Sequence, residues 1–176
     1  VKSVMIDIET LSTQPDACVV AIGAAVFNDH EVTDTWGCTI RHQDWHGHID
    51  PATVKWWIEQ SMDAKHATFA NGITDKEAMM QLKDFIQGAD EIWANSPSFD
   101  LVILKKWWLR VSPGYHMPVS YRNERDCRTI FREADRLSIE LGNAWAQGTA
   151  HNAVDDAANQ SRAIIAYRRA LGGPQR

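Results

Sequence analysis

Val4-Met5-Ile6-Asp7-Ile8-Glu9 is an apolar, strand-forming run broken twice, each time by a carboxylate. Apolar residues on both sides of the acids suit a central strand buried on both faces. The pleat sends alternate side chains to opposite faces, so Asp7 and Glu9 share one face near the strand's end. Two carboxylates buried side by side raise each other's pKa unless a cation or hydrogen-bond donors compensate, and divalent metal is the usual cation. A strand end with two solvated acids is the simpler alternative, and the flanking Val4-Met5-Ile6 and Ile8 weigh against it.

Outward from this run, residues 2–8 and 18–28 read as buried strands and 32–41 as a more alternating third. Short spacers join the three, which suits antiparallel neighbours. After residue 50 the period becomes helical. Asp50 is an N-cap ahead of Pro51 at the first helical position, leading into Val54-Lys55-Trp56-Trp57-Ile58. Thr74-Asp75-Lys76-Glu77 is a capping box before Met79, Leu82, Phe85 and Ile86, in a helix ending near Gly88. Two helices are therefore expected before the next strand, at 91–94. A helix over 99–108, a weaker strand near 119–123, a helix over 126–139 and a closing helix over 152–171 complete the pattern. This order implies an α/β domain with a mixed sheet.

The 176 residues, 44% hydrophobic and 23% charged, suit one soluble domain spanning 1–176. No window approaches the roughly 20 apolar residues of a membrane span, and the first residues lack the layout of a signal peptide, so a cytoplasmic address is expected. Cys18, Cys38 and Cys127 have no Cys-x-x-Cys spacing, which indicates neither a disulfide framework nor structural zinc. A net charge of −5 excludes a protein that coats nucleic acid through an overall positive field. Any polyanion must be gripped locally, and positive charge gathers at Lys105, Lys106 and Arg110 and again at Arg122, Arg125, Arg128, Arg132 and Arg136. Each cluster also reads simply as a solvated face.

Asp100 opens a helix directly after a buried strand, at the carboxyl end of the sheet where open α/β sheets keep their ligands. The macrodipole alone would also favour an acid there. His151-Asn152-Ala153-Val154-Asp155-Asp156 offers an imidazole and two acids. A helical His151 would share its face with Asp155, whereas a His151 in the preceding loop would let Asp156 reach the same place. Spacing leaves both open.

Asp7-x-Glu9, Phe99-Asp100 and His151-x4-Asp156, in that order over residues 4 to 165, resemble the three motifs of the DEDDh, or DnaQ-like, 3'-5' exonucleases. Trp56-Trp57-Ile58-Glu59-Gln60-Ser61 is similar to the small stand-alone members of phage, prophage and mycobacterial type. The resemblance implies an RNase H-like fold with a mixed five-stranded sheet flanked by helices, and it selects Asp156 over Asp155. It also implies two divalent cations, Mg²⁺ or Mn²⁺, a choice that four hard carboxylates favour independently. By this likeness Asp7 bridges both ions, Glu9 and Asp156 complete the site of the ion that binds the attacking water, Asp100 holds the second, and His151 is the general base. The implied substrate is a single-stranded or 3'-overhanging end of DNA or RNA, released as nucleoside 5'-monophosphates.

Related enzymes often follow the first Glu with Thr-Thr-Gly, whereas this chain has Thr10-Leu11-Ser12-Thr13, and Asn95 lies one residue further from Phe99-Asp100 than is common. Thr10, Leu11 and Phe99 are expected to bind the terminal nucleotide, with Leu11 wedged against its base and Thr10 holding its sugar. Of Trp56 and Trp57, about 100° apart on a helix, one is expected to pack inward and the other to face a groove. Burial or a subunit contact is expected for Trp107 and Trp108, and the resemblance suggests a homodimer, which a Trp-rich surface would suit. The His46-Gly47-His48 loop has metal-like composition but stands outside the site, because hard-metal chemistry needs no imidazole from it. A small-nucleotide metal phosphodiesterase and a non-catalytic module binding nucleic-acid ends are the competing functions.

Overall fold

The computed structural model describes residues 1–142 and 147–172; the single-domain expectation over 1–176 also takes in 143–146 and 173–176, which lie outside the described residues. The strands are β1 (Ser3–Thr10), β2 (Val19–Phe27), β3 (Val32–Thr39), β4 (Glu91–Ala94) and β5 (Glu124–Asp126). The helices are α1 (Pro51–Ile58), α2 (Met62–Phe69), α3 (Asp75–Ile86), α4 (Asp100–Val111), α5 (Cys127–Arg136) and α6 (Ala153–Gly172). One sheet forms in the order β3-β2-β1-β4-β5. β1 is antiparallel to β2 and parallel to β4, so the sheet is mixed and β1 is central.

Pleating divides β1 between two cores. Val4, Ile6 and Ile8 meet Leu82 of α3 and Leu101 and Trp107 of α4. Met5 faces the opposite side, with Cys127 of α5 and Ala157 and Ile164 of α6. Asp7 and Glu9 follow Met5, which directs both acids to the α6 side. Asp50 caps α1 by accepting from the Ala52 N–H at 3.0 Å, and the Thr74–Glu77 capping box starts α3.

Three helices, not two, precede β4. Ser61 caps the additional α2, whose eight residues bury only Ala64 and Thr68. That sparse burial leaves no apolar period to read in the sequence. The last strand is β5 at Glu124–Asp126, while residues 121–123, expected to be extended, form a 3-10 turn. β5 is an edge strand placed by parallel pairing of Ile92 to Ala94 with Glu124 to Asp126, and its own side chains are only half-buried. α5 stops at Arg136 rather than 139, because Ser138 takes a positive φ of 52°.

Trp57, Trp93, Trp107 and Trp108 are buried, and among the described residues Trp56 is the one exposed tryptophan. Trp107 and Trp108 pack into the core that holds Val4, Ile6 and Ile8. Among the described residues no helix is long and apolar enough to cross a membrane. The loop with paired histidines is tied into the fold: His48 Nδ1 lies 2.7 Å from Ser12 Oγ, and His46 Nδ1 accepts from Arg110 Nε at 3.0 Å.

Close approach of α6 to the sheet depends on two glycines. Asp7 pairs with Gly23 on β2, and Gly23 pairs with Gly37 on β3. A Cβ on Gly23 would collide with the backbone of Ala153, and one on Gly37 with the side chain of Val154. This bare lane lets the first turn of α6 descend beside Asp7. Gly23→Ala is accordingly expected to lower unfolding free energy by about 1–3 kcal/mol, read from urea denaturation. Unchanged stability would show that α6 does not rest on this lane.

Candidate active site

The end of β1, the starts of α4 and α6 and the residue ahead of α6 meet at one recess of about 360 Å³, lined by Asp7, Glu9, Asp100, His151 and Asp156. β1 supplies the first two acids. Asp100 is 3% exposed at the start of α4, its N–H bonded to the Ser96 carbonyl at 2.9 Å. Gln160, one helical turn beyond Asp156, donates from Nε2 to Asp7 Oδ1 at 2.8 Å. The i, i+4 relation to Asp156 is the signal that could have singled out Gln160 in the sequence.

His151 precedes α6 and takes a left-handed φ of 62°. Its N–H donates to Asp156 Oδ2 at 3.1 Å, and its carbonyl accepts from Thr68 Oγ1 of α2 at 3.1 Å. Asn152 caps the helix, accepting from the Val154 N–H at 3.0 Å. Held outside the helix in this way, His151 shares the recess with Asp156. Asp155 instead accepts from the Thr149 N–H at 2.8 Å and tethers the preceding loop. Possible ligand atoms of Glu9, His151 and Asp156 all lie within 4.8 Å of one another.

A second recess of about 480 Å³ adjoins the first, sharing Ile8, Glu9 and Phe99 and walled by Thr10 and Trp56. The Trp56 ring stands edge-on to His151, centroids 4.9 Å apart, and to Trp57, also at 4.9 Å. Trp57 is anchored behind it, donating from Nε1 to the Thr10 carbonyl at 2.9 Å. Of the expected nucleotide contacts, Thr10 and Phe99 therefore reach this recess. Leu11 lines neither recess: it is 5% exposed and packs with Cys18, Val20 and Trp57, so a wedge against a base is corrected to a packing role. Trp56 is the member of the Trp56-Trp57 pair that faces a groove, and Thr68 carries no motif of its own and is brought to the site only by the fold.

Burial dominates the electrostatics. Desolvation, then the charges of Asp7, Asp156 and Asp100, pushes the Glu9 carboxyl up to about 10. Desolvation and the Asp100 charge raise Asp7 well above the usual range, against the Gln160 hydrogen bond. Asp100 rises to about 7 through desolvation, moderated by backbone donors including Ile8 and by the Arg128 charge. Asp156 is raised by desolvation as well. Among the described residues none of the four forms an ion pair. Crowded, unneutralised hard-oxygen donors fit divalent cations of the Mg²⁺ or Mn²⁺ kind.

Over the interval between an ordinary carboxyl pKa and about 10, Glu9 holds its proton in the folded chain and loses it in the unfolded one. The folded state then binds more protons, so metal-free stability falls with rising pH, by up to about 1.4 kcal/mol per pH unit for one such group. Metal-free protein is expected to melt at a lower temperature near pH 9 than near pH 6, and Glu9→Gln to flatten that slope. Mn²⁺ binding near neutral pH is expected to release protons, measurable by calorimetry in buffers of different ionisation enthalpy. A melting temperature independent of pH in both proteins would contradict this account.

The model of the 3'-5' exoribonuclease Rv2179c-like domain matches residues 2–167. No curated protein matches the chain in sequence. The nuclease domain of 3'hExo, a DEDDh family member bound to rAMP, aligns with a TM-score of 0.63 at 14% identity, covering 98% of this chain and 92% of that one. Exonuclease X in complex with 5' overhanging duplex DNA aligns with a TM-score of 0.55 at 15% identity, covering 97% and 93%. S. pombe Pop2p in a Mg²⁺- and Mn²⁺-bound form aligns with a TM-score of 0.60 at 15% identity, covering 94% and 82%. At these identities the likeness establishes the DEDDh exonuclease fold, RNase H-like with its mixed five-stranded sheet. Together with the family match over nearly the whole chain, it makes this protein a member of the Rv2179c-like 3'-5' exoribonucleases, which are phosphodiester hydrolases.

Proposed function

We propose that the chain shortens RNA from a single-stranded or overhanging 3' end, releasing nucleoside 5'-monophosphates with the help of two divalent cations. The observation that carries this reading is the convergence of Asp7, Glu9, Asp100, Asp156 and His151 in one recess. The four carboxylates would hold Mg²⁺ or Mn²⁺, which when bound supplies Lewis-acid activation of water and charge neutralisation at the phosphate. His151 takes the proton of the attacking water as general base. Thr68 and Asp156 restrain its backbone from two sides, so the imidazole is presented from a fixed loop.

Thr10, Phe99 and Trp56 bind the terminal nucleoside in the adjoining recess, whose aromatic walls can stack on any base. RNA is favoured over DNA because the matching family is one of exoribonucleases, and the rAMP bound to 3'hExo agrees. Digestion of 3'- and 5'-labelled single strands, RNA and DNA in parallel, tests the reading with Mg²⁺, with Mn²⁺ and with chelator. Metal-dependent shortening from the 3' end, faster on RNA, is expected. Asp7→Asn is expected to abolish it, and His151→Ala to lower kcat by about 10²–10⁴-fold. Turnover confined to dinucleotides would instead identify a small-nucleotide phosphodiesterase, and no cleavage under any metal would leave a binding module.

A further inference from the structure

Five arginines, Arg122, Arg125, Arg128, Arg132 and Arg136, crowd the segment around α5 in a chain of net charge −5. Four engage an acid or an aromatic ring within the chain. Arg125 pairs with Glu91 at 3.2 Å, Arg132 with Asp135 at 3.6 Å and Arg136 with Glu133 at 3.2 Å, while the Arg122 guanidinium lies 5.3 Å from the centre of the Tyr121 ring. Arg128 differs. It lines the acidic recess and makes no ion pair among the described residues.

Its one side-chain hydrogen bond among the described residues runs from Nε to Asn95 Oδ1, at 3.3 Å, and Asn95 lines the same recess. That bond engages Nε, and among the described residues the two terminal nitrogens make no hydrogen bond. A planar cation held at one edge presents a fork whose geometry matches two oxygens of a phosphate. The Arg128 charge reaches Asp100 without pairing to it, so it is not consumed by the carboxylates. Among the described residues lining the recess it is the one arginine, and no lysine joins it. A polyanion entering a recess of four acids meets repulsion there, and a cation in the lining offsets it.

From this placement we infer that Arg128, aimed by Asn95, binds a phosphate of the substrate strand next to the carboxylate cluster. The inference rests on the strand-shortening activity proposed above and adds to it a residue that grips the backbone irrespective of base. Loss of one phosphate contact makes the salt dependence shallower by about 0.7 in slope for a single strand and weakens all sequences alike.

The test compares wild type, Arg128→Gln and Arg128→Lys by steady-state hydrolysis of short oligoribonucleotides over a range of salt, beside calorimetric Mn²⁺ binding to each protein. For Arg128→Gln the expected result is a KM raised about tenfold, kcat within about twofold, a slope of log(kcat/KM) against log salt reduced by about 0.7, and unchanged Mn²⁺ affinity. Arg128→Lys, which keeps the charge and loses the fork, is expected to recover the slope and only part of the KM. An unchanged KM and slope in Arg128→Gln would overturn the inference, as would a loss traced to weaker Mn²⁺ binding, which would make Arg128 a support for Asp100. Failure of the underlying activity is distinguishable, because wild type itself would then hydrolyse nothing.

Discussion

Helix α6 lies against β1 and β2 because Gly23 and Gly37 put no side chain beneath its first turn. Most of the site depends on that contact. It brings Asp156 beside Glu9 and seats the Gln160 amide on Asp7, and it leaves His151 in the short left-handed turn just ahead of the helix. The same helix buries Ala157 and Ile164 against Met5 and Trp93, so the apolar packing that stabilises the sheet also fixes the spacing of the acids. Stability and site geometry are here consequences of a single interface.

Such an arrangement stores an electrostatic conflict. Four carboxylates share one recess without an ion-pair partner among the described residues, and desolvation is the leading cause of every raised pKa there. A fold that kept these acids only for stability would gain by replacing them with apolar residues of similar volume. Their cost is understandable where a cation of high charge density completes the set.

Helices α1 and α2 serve the site from the side. Trp57 fills a small core and holds the Thr10 carbonyl, Trp56 lines the second recess and stands edge-on to the His151 ring, and Thr68 holds the His151 carbonyl. His151 is thereby supported by a part of the chain 83 residues away in sequence. The five arginines near α5 show how differently like residues are used: four engage an acid or an aromatic ring, and one lines the recess.

The sequence by itself determined the local elements and the order of the motifs. Val4 to Glu9 is legible as a central strand because both apolar faces and both acids follow a period of two, and the caps at Asp50 and Thr74 are local hydrogen-bond patterns that short segments carry on their own. Tertiary structure decided what no period encodes. Helix α2 has scant apolar stripe and is placed by contact, β5 is positioned by pairing with β4, and Leu11 is turned into a core that only the return of α1 creates. Asp156 and Asp155 are neighbours of the same type, and their roles separate only because a left-handed residue at 151 sets where the helix begins. Thr68 and Arg128 acquire their places from residues distant in the chain, and distance in sequence carries no local physical signal of proximity in space.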